Sequence, residues 1–214
     1  MTDPIQGVGA RLSELLSDAG LGVLDAEEAR RFEIYCSLLI RWNARVNLTS
    51  VRSQEGILSR HFMESIACAR ALPAEVSTLL DFGSGGGFPG IPIAICRPEI
   101  AVTLAESQGK KAAFLQDAVR TLRIHAVVHA QRAETLGTGF DCVVLRAVDK
   151  MLEAVEAAVH LIAPGGSLVL MTTGAEFEKL KSAAGPEFCW EETIQLPGSF
   201  DRLLALGNRR SDRP

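Results

Sequence analysis

The chain has 214 residues, 47% of them hydrophobic and 22% charged, with a formal net charge of −4. That length suits one catalytic domain with a small appendage, and the composition suits a globular protein in water. No apolar run reaches the roughly 20 residues of a membrane crossing, and the negative balance does not advertise a nucleic-acid binder.

The first residues lack the basic-then-apolar pattern of a signal peptide, so the expected location is the cytoplasm, with no membrane partner. Cys36, Cys68, Cys96, Cys142 and Cys189 are scattered without a CxxC pair, so no metal site is expected. The basic residues are 17 Arg against 5 Lys. Arginine favours bidentate phosphate contacts and stacking on bases, although such a bias also follows genomic base composition.

Residues 8–20 read as a short helix ending at Gly20. Asp25 reads as the N-cap of a longer helix to Asn43, in which Phe32, Tyr35, Leu39 and Trp42 form one apolar face. Trp42 is expected in the core. A third helix runs from Gln54 to about Ala71 and stops before Pro73. Residues 1–72 are thus a helical N-terminal extension, and 73–214 form the second unit.

In that unit, strands are expected at 78–82, 101–105, 126–130, 141–145, 167–172, 188–196 and 202–207. Helices are expected near 90–97, 108–122, 150–162 and 175–183. This alternation implies an α/β fold: a mostly parallel seven-stranded sheet with helices on both faces. The last two strands join through Leu196-Pro197-Gly198-Ser199, so they form an antiparallel hairpin at one edge. That finish is the Rossmann-like plan of class I methyltransferases rather than of dinucleotide dehydrogenases. The tail 208–214 reads as polar and frayed.

The run Asp81-Phe82-Gly83-Ser84-Gly85-Gly86-Gly87-Phe88-Pro89-Gly90 lies between the first strand and the next helix. Glycines let backbone approach a ligand, and a helix N-terminus offers free N–H donors. A phosphate-binding GxxxxGK[ST] fails, because Leu104 and Lys111 break it around Gly109-Lys110. A dinucleotide GxGxxG matches formally at Gly85, Gly87 and Gly90, but the first glycine lies four residues beyond Asp81 and Pro89 interrupts it. The register Asp81-x-Gly83-x-Gly85-x-Gly87 is the first motif of S-adenosylmethionine (SAM) methyltransferases. SAM has an ammonium that wants acceptors near the strand tip and no phosphates to cradle. Glu106 ends the second strand, where a carboxylate can accept from ribose hydroxyls in either a SAM or an NAD enzyme. Ala133-Glu134 follows the third strand, at the rim where an adenine edge would lie. An NAD-dependent oxidoreductase stays open here, as does a SAM enzyme with another acceptor.

The fourth strand runs into Leu145-Arg146-Ala147-Val148-Asp149. It lacks the Asn/Asp-Pro-Pro-aromatic run of amino-directed enzymes and the nucleophilic Cys of cytosine-C5 enzymes. An acceptor that needs no activation suits it, such as guanine N7, so no general base is required. Arg146 is then a positioning residue for cofactor or a neighbouring phosphate.

The whole pattern resembles the RsmG/GidB family. The resemblance rests on Trp42-Asn43 with Asn47-Leu48-Thr49, Arg60-His61 with Glu64-Ser65, and Asp81 to Gly90 extended by Ile91-Pro92. Arg97-Pro98, Ser107 with Lys110-Lys111, Ala133-Glu134 and Arg146-Ala147 complete it. It implies SAM-dependent methylation of guanine N7 in 16S rRNA, at guanine 527 of the decoding-centre loop. It also implies the small ribosomal subunit or its RNA as partner, and SAM contacts from Gly83, Phe88, Ala133, Glu134 and Arg146, with Glu106 at the ribose and Asp81 and Gly85 in the same loop. Arg60 and His61 are expected to face the cleft and hold RNA, in an extension also carrying Arg41, Arg45, Arg52 and Arg70. The chain is expected to be a monomer. Three positions depart from the family: Glu64 replaces Asp, Leu145 replaces Ser, and Thr173-Gly174 replaces Lys-Gly. Lys179, Lys181 or Arg202 are candidates to compensate for that lysine on the RNA side.

Overall fold

The computed structural model describes residues 7–210; residues 1–6 of the extension and 211–214 of the tail lie outside the described residues. Helix α1 spans Val8–Asp18 and α2 spans Ala26–Asn43. The Asp25 carboxylate accepts from the amides of Glu27 and Glu28, and the Glu28 carboxylate accepts from the Asp25 amide. This reciprocal cap starts α2 and contributes about 1 kcal/mol. Phe32, Tyr35 and Leu39 follow on its buried face. Trp42 is half-buried, edge-on to Phe114, and its indole N–H donates to Asp117 at 2.9 Å.

The third helical segment differs from expectation. It begins as α3, Gln54–Gly56, widens into a π-helical stretch at Ile57–Phe62, and resumes as α4, Met63–Ala71. The amide of Met63 bonds the carbonyl of Leu58, five residues back. Across this stretch the buried pairs Ile57/Phe62 and Leu58/Met63 lie five apart, the spacing that keeps one face inward through a π turn. Its consequence is chemical: where α spacing resumes, one carbonyl is passed over and needs another donor.

The sheet comprises β1 Thr78–Phe82, β2 Ala101–Ala105, β3 Ala126–His129, β4 Phe140–Arg146, β5 Ile162–Thr173, β6 Phe188–Trp190, β7 Ile194–Gln195 and β8 Arg202–Arg209. Its order is β3-β2-β1-β4-β5-β8-β6, with β7 also paired to β8. The first five strands are parallel, and β8 runs antiparallel to β5, β6 and β7. The antiparallel finish is therefore present, with one correction. The strand expected at 188–196 is broken, which makes eight strands rather than seven among the described residues. Glu191–Thr193 put three residues opposite two, Ala205 and Leu206, so the strand bulges between Trp190 and Ile194.

Helices α5 (Gly90–Cys96) and α6 (Gly109–Leu122) lie on one face of the sheet, and α7 (Met151–Ala158) and α8 (Gly174–Ala184) on the other. The strands alternate accordingly. Leu79, Cys142, Val144, Val169 and Leu204 join a core shared with α1, α2 and α4, while Leu80, Val143, Leu145, Leu168 and Ala205 join the other. The helical extension thus packs onto the sheet through the same core as α5 and α6, and lies beside the glycine turn.

Candidate functional site

The parallel strands all end on one edge, where Gly83, Glu106, Arg146 and Thr173 follow or close β1, β2, β4 and β5. In open α/β sheets this edge is where ligands bind. The turn after β1 is tied across it: the amides of Gly83 and Ser84 both donate to the carbonyl of Ala105, at 3.0 and 2.9 Å. Gly83 sits at φ +74°, a conformation that side chains disfavour. Gly90 opens α5, and its N–H donates to Asp81 Oδ2 at 3.1 Å. A Cβ at Gly90 would lie 2.5 Å from that same oxygen, so only glycine lets the helix come so near.

Asp81 is buried, and its Oδ1 has no hydrogen-bond partner. Burial pushes its carboxyl up to about 7, against the opposing pull of the Gly90 amide. Glu106 is also buried; it accepts from the Gly85 amide at 3.0 Å through Oε2 and from the Gln108 amide at 2.7 Å through Oε1. Ala133 is buried in a short 3₁₀ turn after β3, and Glu134 beside it is exposed and paired with Arg132 at 3.0 Å. An unpaired buried acceptor, an oriented carboxylate and a glycine-lined turn fit a ligand with an ammonium and a ribose. They offer nothing that would neutralise a pyrophosphate.

Beyond β4 the chemistry reverses. Arg146, the positioning candidate, turns its guanidinium to the helical extension. It donates to Glu64 Oε2 at 2.6 Å, Ser65 Oγ at 3.1 Å, the Arg60 carbonyl at 2.8 Å and the His61 carbonyl at 3.4 Å. The last two carbonyls belong to the turn where the π register ends. Glu64 has no solvent exposure, and its other oxygen accepts from Arg202 at 2.7 Å. Arg202, the candidate for the RNA side, is thus held against a buried carboxylate. A fully buried carboxylate needs charge on both oxygens to offset its lost hydration, and the two arginines provide it.

His61 and Phe88 meet at the joint between the extension and the glycine turn. The His61 ring stacks on Phe88 with 4.5 Å between centroids, and its Nε2 lies 2.6 Å from Thr49 Oγ1. Burial, reinforced by the neighbouring charges of Arg146, Arg60 and Arg202, pushes its pKa down to about 3. A neutral, stacked imidazole supports the wall of the site and carries no charge toward phosphate. Phe88 is buried among His61, Tyr35 and Phe62, so its ring faces the extension. Tyr35 donates to the Gly86 carbonyl at 2.6 Å, and Leu48 O would lie 3.3 Å from a Cβ on Gly86. Asn43 shapes that approach by accepting from the amides of Leu48 and Thr49. The two sequence signatures, Trp42 to Thr49 and the glycine run, are therefore two sides of one contact.

The arginine series of the extension divides. Arg41, Arg45 and Arg60 are exposed, with Arg41 3.6 Å from Asp117. Arg52 holds the Asn43–Asn47 loop, and Arg70 donates to the carbonyls of Gly22 and Val23. Tyr35, Ser65 and the clamping of Glu64 were not foreseen. The available signal was Glu64 itself, a lone acid in the apolar run Phe62-Met63-Glu64-Ser65-Ile66. Among the described residues no cluster of His, Cys, Asp or Glu could hold a metal ion, and no helix is long and apolar enough to cross a membrane.

Comparison with known proteins follows this geometry. Similar folds include a SAM-dependent O-methyltransferase of Thermotoga maritima, with a TM-score of 0.58 at 12% identity over 82% of this chain and 72% of that one. A 1,6-didemethyltoxoflavin-N1-methyltransferase of Burkholderia thailandensis gives 0.55 at 13% identity, over 72% and 80%. At such identities they establish the fold, that of SAM-dependent methyltransferases, and leave the acceptor open. Sequence relatives are far nearer. The ribosomal RNA small subunit methyltransferase G of Roseiflexus sp. (strain RS-1) is 42% identical over 197 residues, covering 86% of this chain and 84% of that protein. Its namesake from Xanthomonas euvesicatoria pv. vesicatoria is 39% identical over 179 residues, covering 82% and 84%. The family described as rRNA small subunit methyltransferase G matches residues 28–194, and the dehydrogenase alternative lapses. The chain belongs to this GidB family of ribosomal RNA small subunit methyltransferases.

Proposed function

We propose that this protein methylates N7 of a guanine in 16S rRNA, the residue corresponding to guanine 527 of the decoding-centre loop, using SAM. The observation that carries the N7 assignment is the chemistry at the end of β4. Its terminal side chain is the guanidinium of Arg146, and the nearest carboxylate, Glu64, is bound between two arginines. Cys142 lies inside the strand, fully buried, with its thiol pushed up by desolvation. None of these groups is placed to take a proton. Guanine N7 asks for none, because its lone pair is free at neutral pH.

Bound SAM supplies a sulfonium methyl for in-line displacement, so the protein's task is mainly alignment. In this reading Asp81 Oδ1 accepts from the ammonium, Glu106 from the ribose hydroxyls, and Ala133-Glu134 border the adenine. Gly83 and Gly85 allow the backbone to approach, and Phe88 backs the turn from behind. Arg146 positions by fastening the extension to the end of β4. Exposed Arg41, Arg45 and Arg60 contact phosphates.

The test is methyl transfer from labelled SAM to 16S rRNA, free or in small-subunit particles, followed by borohydride and aniline treatment. Label incorporation with chain cleavage at one guanine is expected. Incorporation without cleavage would overturn the N7 assignment and leave a methyltransferase of another acceptor.

A further inference from the structure

Phe200 stands fully exposed, at 105% of the reference accessibility, at the tip of the loop joining β7 and β8. The loop beneath it is well tied. Gln195 Nε2 donates to the carbonyls of Ser199 and Arg202, at 3.0 and 2.9 Å. Ser199 Oγ donates to Asp201 and accepts from the Arg202 amide, both at 3.0 Å. The Leu196 amide bonds the Arg202 carbonyl, and the Gly174 amide bonds the Asp201 carbonyl. Leu196 is buried as the anchor. A large apolar side chain is held out in water by a loop whose ordering is already complete.

Its position completes the argument. Arg202 pairs with Thr173, the last residue of β5, so the loop stands at the same sheet edge as Gly83 and Arg146. Strand β8 lies two places from β4, about 10 Å away. That is too far for Phe200 to touch a guanine aligned at β4, and near enough for an adjoining nucleotide. Asp201, next in sequence, is engaged by Ser199 Oγ; Arg202, two residues on, joins Glu64 and hence Arg146, while Arg60 is exposed on the same network. An exposed ring on a tied loop, at the sheet edge that also carries the exposed Arg60, matches a single-stranded RNA, whose unstacked bases present a π-face next to phosphate.

We propose that Phe200 is a stacking platform for an rRNA base flanking the methylated guanine, and so determines RNA binding. The inference rests on the rRNA methyltransferase reading above. Its test compares wild type, Phe200→Ala and Phe200→Trp on deproteinised 16S rRNA, with SAM affinity measured separately. Phe200→Ala should raise KM for RNA about tenfold, with SAM affinity and thermal midpoint retained. Phe200→Trp should restore KM, and its added fluorescence should be quenched by the RNA. A wild-type KM in the Ala variant, or a Trp emission indifferent to RNA, overturns the platform while leaving methyl transfer standing. A wild-type protein that transfers no methyl to rRNA overturns both.

Discussion

The two halves of the cleft are built on opposite principles. On the β1–β2 side one buried acceptor is left open: Asp81 Oδ1 has no donor, while Glu106 takes one amide on each oxygen at the rim of the glycine turn. On the β4–β8 side the polar groups are saturated: Glu64 has an arginine on each oxygen, and Arg146 is shared among Glu64, Ser65 and two carbonyls. The contrast separates a half with an open buried acceptor from a half that fastens the structure together. Side chains of similar charge can serve either purpose, and hydrogen-bond completeness tells them apart.

The saturated half should break most severely. Glu64→Ala leaves two guanidiniums without their carboxylate and should cost about 3–5 kcal/mol in denaturant unfolding. A loss below 1 kcal/mol would show that the clamp is not a fastening. The halves should also differ in the sign of their pH dependence between about pH 5 and 6.5, above the ordinary carboxylate range. Asp81 has a folded pKa raised from 3.8 to about 7, so its contribution to stability is present in acid and is lost as pH rises through that window. His61 has a folded pKa lowered from 6.5 to about 3, so its contribution is present at neutral pH and is lost as pH falls. Each slope approaches 1 kcal/mol per pH unit, and in the wild type they oppose one another. Asp81→Asn should make stability drop toward acid, and His61→Gln should make it rise; parallel pH profiles for the two variants would refute the assignment. The mildest test is Tyr35→Phe, which deprives the buried Gly86 carbonyl of its donor. It should cost about 1–2 kcal/mol and weaken SAM binding only slightly, and an unchanged thermal midpoint would remove Tyr35 as a buttress of the turn.

Much of this arrangement is legible in the amino-acid order. The short apolar runs at Thr78–Phe82 and Cys142–Leu145 read as buried strands, and they do feed a core on each face; the Asp25 cap marks the start of α2 within a residue. The acidic residue four positions before Gly85 selects the register of the glycine run. What escapes is whatever depends on a distant partner. The π stretch at Ile57–Phe62 finds its outside donor only in Arg146, more than 80 positions later, whose guanidinium bonds the Arg60 carbonyl. Arg202 and Arg60 look alike as cations in sequence, yet one is bound to a buried carboxylate and the other is exposed. The Thr173 substitution is compatible with the same edge, since Thr173 pairs with Arg202 in the ladder and Lys181 lies over the Phe177 ring.

The central claim is that the cofactor occupies the half with the open acceptor. Calorimetric titration of SAM into wild type and Gly83→Val tests it most directly. At Gly83 a Cβ would meet the Val148 methyls at 3.2 Å in a backbone conformation of φ +74°, so the larger side chain intrudes on the turn. The account predicts saturable one-to-one binding to the wild type and its loss in a variant that still unfolds cooperatively. Equal SAM affinity in the two proteins would contradict it and move the cofactor elsewhere.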